Sequence, residues 1–257
     1  MNVVKSSRKL HKWLMLFIGI QFVIWSVTGA YMVFFDIDYI HGDSLVINHQ
    51  EKITAEKVQY SLSALYQQYP KAEQIELGKF IDKDVYRFTV LENIPEKKNK
   101  TLYLVDATSG QLLSPLGEKS AISAAKYHYS GTGEVREIEL ITEHPPFELS
   151  ARALPAWRAN FDDFGAPSIY ISAESGKLVG KRHEFWRLFD WMFRFHVMDY
   201  NDGDEIDNML LFIVVLFALL AAMSGLILTY VRVIKPNKKR VQRNKTETVD
   251  LAIKGVD

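Results

Sequence analysis

Residues 13–35 read WLMLFIGIQFVIWSVTGAYMVFF, from Trp13 to Phe35, and contain no charged side chain. At about 1.5 Å of rise per helical residue, that run crosses about 30 Å of hydrocarbon with some tilt. A second uncharged run, NMLLFIVVLFALLAAMSGLILTYV, extends from Asn208 to Val231. Inside lipid the backbone must pair its own donors and acceptors, so both runs are expected as helices. Trp13, Trp25, Tyr31 and Tyr230 supply amphipathic rings, several near span ends, where such rings settle. A cleaved leader ending at Thr28-Gly29-Ala30 is the competing reading of the first run. The apolar stretch continues through Phe35, longer than a usual leader core.

The formal net charge is zero, but it is unevenly distributed. Lys5, Arg8, Lys9 and Lys12 precede Asp36 with no acid among them. From Tyr230 onward, eight Lys/Arg face three acids, Glu247, Asp250 and Asp257. The middle keeps 19 Lys/Arg against 28 Asp/Glu, a net charge of −9. Basic residues just outside both spans place both termini in the cytoplasm, and two crossings return the chain to its starting side. Residues 36–207 are then expected on the far, periplasmic side of a bacterial inner membrane. The tail around Lys238-Lys239-Arg240 reads as an anchor against anionic lipid, and nucleic acid is not an expected partner. The chain has no cysteine, which excludes disulfides, thiolate metal sites, Cys nucleophiles and covalent c-type haem.

The region between the spans repeats. Leu104-Val-Asp-Ala-Thr-Ser-Gly-Gln-Leu-Leu113 aligns with Tyr170-Ile-Ser-Ala-Glu-Ser-Gly-Lys-Leu-Val179 at an offset of 66 residues. Each reads as strand, Ser-Gly turn, strand, with Gly supplying positive φ. The same offset relates Thr54-Ala-Glu-Lys-Val58 to Ser120-Ala-Ile-Ser-Ala124, both expected helix starts capped by a hydroxyl. Val58, Leu62, Leu65 and Tyr69 follow at helical spacing, and Pro70 ends the helix. Alternating Val85–Val90 and Trp157–Phe161 read as strands. Each unit is expected to be a helix on an antiparallel sheet of about three strands, an α+β arrangement.

Between the repeat and the second span, Phe185, Leu188, Phe189, Met192 and His196 share one helical face and Arg187, Asp190 and Arg194 the other. This aromatic amphipathic pattern predicts a helix lying in the membrane interface, with a buried helix of the soluble region as the alternative.

Four blocks carry a family resemblance. They are Arg8-Lys-Leu-His-Lys-Trp-Leu14 with Gly19 and Gln21; Leu154-Pro-Ala-Trp-Arg-Ala-Asn-Phe-Asp-Asp163; Tyr170 with Ser175-Gly-Lys-Leu-Val179; and Trp186-Arg-Leu-Phe-Asp-Trp191 with His196-Val-Met-Asp-Tyr200. Together they resemble the PepSY-associated transmembrane family over nearly the whole chain. The resemblance implies PepSY domains, small helix-on-sheet modules, outside the membrane. Larger members have four spans and look like haem-containing reductases of ferric siderophores in iron uptake, whereas this chain has two. Other PepSY proteins act as peptidase propeptides or inhibitors. The expected organisation is a cytoplasmic N-terminus at 1–12, a first transmembrane helix at 13–35 and PepSY-like repeats at 45–116 and 117–182. An interfacial helix at 184–200, a second transmembrane helix at 208–231 and a basic tail at 232–257 complete it.

Two of the seven histidines, His11 and His196, stand beside the spans, where an ionisable residue is a functional candidate by default. In the resembling four-span proteins, histidines at such span ends look like b-type haem ligands. Placed at opposite ends of about 30 Å of hydrocarbon, His11 and His196 cannot share one iron. A two-fold homodimer would supply a pair at each level. The plainer reading makes His11 part of the basic anchor and His196 a helix cap. His128 reads as a surface or packing residue, and His41, His49, His144 and His183 carry no assignment. Asp199, Asn201, Asp202, Asp204, Glu205 and Asp207 offer oxygen ligands without the EF-hand pattern, and Asp162-Asp163 reads as a turn. No nucleophile elbow, zinc helix, phosphate loop or dinucleotide fingerprint is present. Three functions stay open: a homodimeric haem b electron-transfer component, a binding or inhibitory module acting on a periplasmic peptidase, and an accessory subunit of a membrane complex. A reporter enzyme fused after Asp257 should work only in the cytoplasm. Activity confined to the periplasm would reverse the orientation.

Overall fold

The computed structural model describes residues 2–50, 52–94, 97–200 and 208–234. The stretch 201–207 and the cluster Lys238-Lys239-Arg240 lie outside the described residues. In chain order the elements are α1 (Asn2–Phe34), α2 (Ile37–Ile40), α3 (Leu62–Gln68), β1 (Ala72–Phe80), β2 (Lys83–Ile94), β3 (Lys97–Asp106) and α4 (Glu118–His128). There follow β4 (Val135–Ile141), β5 (Ala156–Phe161), β6 (Ser168–Ser172), β7 (Leu178–Arg182), α5 (Glu184–Val197) and α6 (Met209–Thr229). The chain divides into two compact units, one of residues 1–33 and 191–257, the other of 34–190. In the first, α1 and α6 are each long and apolar enough to cross a membrane.

The second unit is α+β, with antiparallel sheets ordered β1-β2-β3 and β4-β5-β6-β7. Period-two alternation sorts the side chains. Tyr86, Phe88 and Val105 pack with Leu65 of α3 on one face of the first sheet. Val85 and Leu104 face the other way, joining Ala124 and Ala125 of α4 and Ile169 and Ile171 of the second sheet. Alanines on α4 bring its backbone close to this shared core.

Helices α3 and α4 depart from the expected starts. Residues 55–57 form only a 3-10 turn, Thr54 makes no capping bond, and α3 begins after Ser61, whose Oγ accepts from Ala64 N at 3.1 Å. Backbone pinning explains the delay. Tyr60 N donates to the Ala107 carbonyl at 2.9 Å and Thr108 Oγ1 to that of Lys57 at 2.7 Å, holding the intervening chain out of helix. In the other case α4 starts two residues ahead of Ser120, with Glu118 in the first turn, where a carboxylate complements the helix dipole.

The Ser-Gly turns use the same bonds at the same offset. Gly110 N donates to Asp106 O at 2.8 Å, and Gly176 N to Ser172 O at 3.0 Å. Asp106 N donates to Gln111 O and Ser172 N to Lys177 O, both at 2.9 Å. Ser109 N donates to the Asp106 carboxylate at 3.0 Å, and Ser175 N to the Ser172 hydroxyl at 3.1 Å. Both glycines have positive φ, and a ring lies where a Cβ would go: Tyr60 at Gly110 and Phe80 at Gly176, each 2.6 Å away. The turns lead to different structure. The second continues into β7, whereas the first makes only an isolated bridge, Val105 to Leu112, before Pro115, which has no N–H for a ladder.

On the far face of the second sheet, Glu148 is buried and receives Arg187 in a fork, Nε to Oε2 at 2.6 Å and Nη2 to Oε1 at 2.8 Å, with the Tyr170 hydroxyl also donating to it. Burial alone would raise the Glu148 pKa. The Arg187 and Tyr170 bonds outweigh it and hold the carboxyl below its ordinary value. A depressed carboxylate stabilises the fold above its unfolded pKa, and that contribution fades as pH falls through the folded value.

Two predictions follow from the fold. Gly176→Ala should destabilise the domain by about 1–3 kcal/mol, seen as a lower thermal midpoint of the full chain, because it combines positive φ with a clash. Glu148→Gln should cost about 2–3 kcal/mol at neutral pH by removing the buried one of the two carboxylates that pair with Arg187, the other being Glu184 at 2.8 Å. The same substitution should flatten the fall in stability between neutral and acid pH, followed by denaturant melts across that range.

Candidate functional site

The last carbonyls of α5 have no intrahelical partner, as at any helix end. Side chains of the first unit take them. Gln21 Nε2 donates to the Phe195 carbonyl at 3.2 Å, Trp25 Nε1 to that of His196 at 2.7 Å, and Asn208 Nδ2 to that of Val197 at 2.8 Å. Asn208 also caps α6, its Oδ1 accepting from Leu211 N at 2.8 Å. Positions 21, 25 and 28 lie on one side of α1 by helical spacing, so this helix offers a polar face to the end of α5.

His196 completes that face. Its Nδ1 is 2.9 Å from Thr28 Oγ1, whose own O–H donates to the Ile24 carbonyl at 2.8 Å. With its proton on its own helix, Thr28 can accept from Nδ1. Gly29 follows, and a Cβ there would lie 3.7 Å from the His196 ring.

His11 repeats the device toward α6. Its Nδ1 lies 3.0 Å from the Ala221 carbonyl, which can only accept, and 3.1 Å from Ser224 Oγ. The Ser224 O–H donates back to the Ala221 carbonyl at 2.8 Å. The Ala221 carbonyl makes Nδ1 of His11 the donor. Gly225 admits the ring closely, for a Cβ there would sit 3.1 Å from its Cε1.

A neutral ring protonated at Nδ1 keeps a bare lone pair on Nε2, the arrangement a metal-ligating histidine needs. His49 and His183 have the opposite arrangement. Their Nε2 atoms donate to the Tyr127 carbonyl at 2.7 Å and the Tyr39 carbonyl at 2.8 Å. His183 is buried, its Nδ1 accepts from Trp186 N at the start of α5, and burial pushes its pKa down. It is a structural cap that the sequence did not single out.

His11 and Thr28, the contact of His196, are 17 residues apart on α1, about 25 Å at 1.5 Å per residue. One iron cannot bridge the two imidazoles. His11 lines an apolar groove of about 430 Å³ between α1 and α6, walled by Met15, Phe22, Trp25, Ala218 and Ala222. Haem asks for an unprotonated imidazole nitrogen and apolar walls. The groove beside His11 supplies apolar walls, and in both rings it is Nδ1 rather than Nε2 that is engaged by the neighbouring helix. Among the described residues no three His, Cys, Asp or Glu converge on one point.

Thr28, Ser224 and the glycine after each were not among the residues picked from the sequence for this site. A signal did exist: a hydroxyl–glycine step occurs once in each apolar run, Thr28-Gly29 and Ser224-Gly225. The Asp162-Asp163 pair forms a turn, with the Asp162 carboxylate accepting from Glu134 N and that of Asp163 from Tyr129 OH and Gly133 N.

The family model described as the PepSY-associated TM region matches residues 8–251. No curated protein and no solved structure matches the chain. The match takes in both apolar helices, the sheets and both span-side histidines, so the chain is a membrane protein belonging to the PepSY-associated transmembrane family.

Proposed function

We propose that this protein is an inner-membrane electron-transfer component in which His11 and His196 are axial ligands of b-type haem. Two copies of the chain pair about a two-fold axis so that each membrane level has two imidazoles. The Nδ1 bonding carries the reading: both span-side histidines hold Nδ1 against a hydroxyl of an apolar helix, so Nε2 would be the ligating nitrogen. Thr28 and Ser224 orient the rings, Gly225 makes room for that of His11, and the walls of the α1–α6 groove are apolar. Haem bound there supplies a one-electron carrier. Both termini lie in the cytoplasm and residues 36–207 in the periplasm, so electrons pass toward an extracytoplasmic acceptor such as ferric iron.

The two sheets are diverged copies of one PepSY-like unit, at 45–116 and 117–182. What supports this is the matched bonding of the Asp106–Gln111 and Ser172–Lys177 turns at a constant offset, with a ring over each glycine. These copies would also serve the rival function, a module that restrains a periplasmic peptidase.

Spectra separate the two. Protein purified from haem-supplemented cells should show a Soret shift and an α-band on dithionite reduction. His11→Ala and His196→Ala should each remove about half of that band, as expected if each ligates its own iron. Thr28→Val should weaken the His196 share more than the His11 share. No band in the wild-type protein would overturn the haem reading, and a peptidase module would be indifferent to both substitutions.

A further inference from the structure

The turn from β5 to β6, Asp162-Asp163-Phe164-Gly165-Ala166, places an aromatic ring in the open, with Phe164 80% exposed. Polar neighbours in the turn are bonded to the rest of the fold. The Asp162 carboxylate accepts from Glu134 N, and that of Asp163 from Gly133 N, the Tyr129 hydroxyl and Phe164 N. Positive φ at Gly165 and Ala166 turns the chain back sharply, and Ala166 N closes the turn onto the Asp163 carbonyl at 3.0 Å. The exposed ring is therefore held by a fixed scaffold rather than carried on a loose loop.

Phe164 does not stand alone. Its ring centroid is 5.6 Å from that of Phe185, and Phe185 is 5.9 Å from Phe35 and 5.6 Å from Tyr39. Ile37, Tyr39 and Leu188 are also exposed. Phe35 immediately follows α1, whose apolar run it completes, so covalent continuity keeps it at the end of a helix long and apolar enough to cross a membrane. Two ring-to-ring steps then lead to Phe164. The zone between hydrocarbon and water is where aromatic rings are most favourable.

We propose that the β5–β6 turn is a lipid-docking element, with Phe164 seated at the boundary between headgroups and acyl chains beside Phe35 and Phe185. The occupant is bilayer rather than another protein because this aromatic row is continuous with the end of a membrane-crossing helix. An exposed, scaffolded apolar ring at that position has a ready apolar medium beside it. The inference does not depend on whether the histidines hold haem.

The absence of cysteine makes the test direct. Full-length Phe164→Cys, labelled with an environment-sensitive NBD dye, is reconstituted into phosphatidylcholine–phosphatidylglycerol vesicles beside labelled Ser109→Cys, in the turn after β3. The dye at 164 should emit to the blue of the dye at 109 and lose most of its intensity when nitroxide-bearing lipids are included. Water-like emission at both sites overturns the proposal. Blue emission at 164 that lipid nitroxides leave unquenched also overturns it, for a protein surface would then cover the turn.

Discussion

Hydrocarbon offers no hydrogen-bond partner, so every polar group placed in or beside it must find one in the protein. The first unit answers to that requirement. The carbonyls at the end of α5 cannot be left open, and Gln21, Trp25 and Asn208 close them. The two span hydroxyls face the same demand: Thr28 and Ser224 donate back into their own helices and then accept from a histidine. The resulting bonds tie α1 to α6 at one level and to the end of α5 at another. Packing of apolar side chains alone would fix neither the rotation nor the register of these helices so closely.

The parts most legible in the sequence were those governed by composition and period. Two uncharged runs gave two long helices, and alternation at Val85–Val90 and Trp157–Phe161 gave strands. Helix starts were less legible. Thr54 and Ser61 are equally plausible caps, and the choice depends on Ala107 and Thr108, some fifty residues away, pinning the chain between them. No local reading contains that information. The same holds for β7 and its missing counterpart after β3, which Pro115 separates.

The histidines show the same division. Their position beside the spans was readable, and so was the impossibility of a shared iron. Their tautomers were not, since these depend on which atom of another helix each ring meets. His183 was invisible for a related reason: it looks like a loop residue until α5 begins at the next position and its Trp186 N–H needs a cap. The paired turns fall between these cases. Their glycines were legible as turn positions, but the Tyr60 and Phe80 rings that forbid a side chain there come from distant segments.

Anchoring each span-side imidazole through Nδ1 has a cost and a return that fall at different times. Rotation about the side-chain bonds is lost when the helices assemble, and folding bears that entropy. A partner that met Nε2 would find an atom already aimed and would take no further torsional freedom from the protein. Selection among such partners would shift away from the nitrogen, which accepts many, and onto the contour of the surrounding helices.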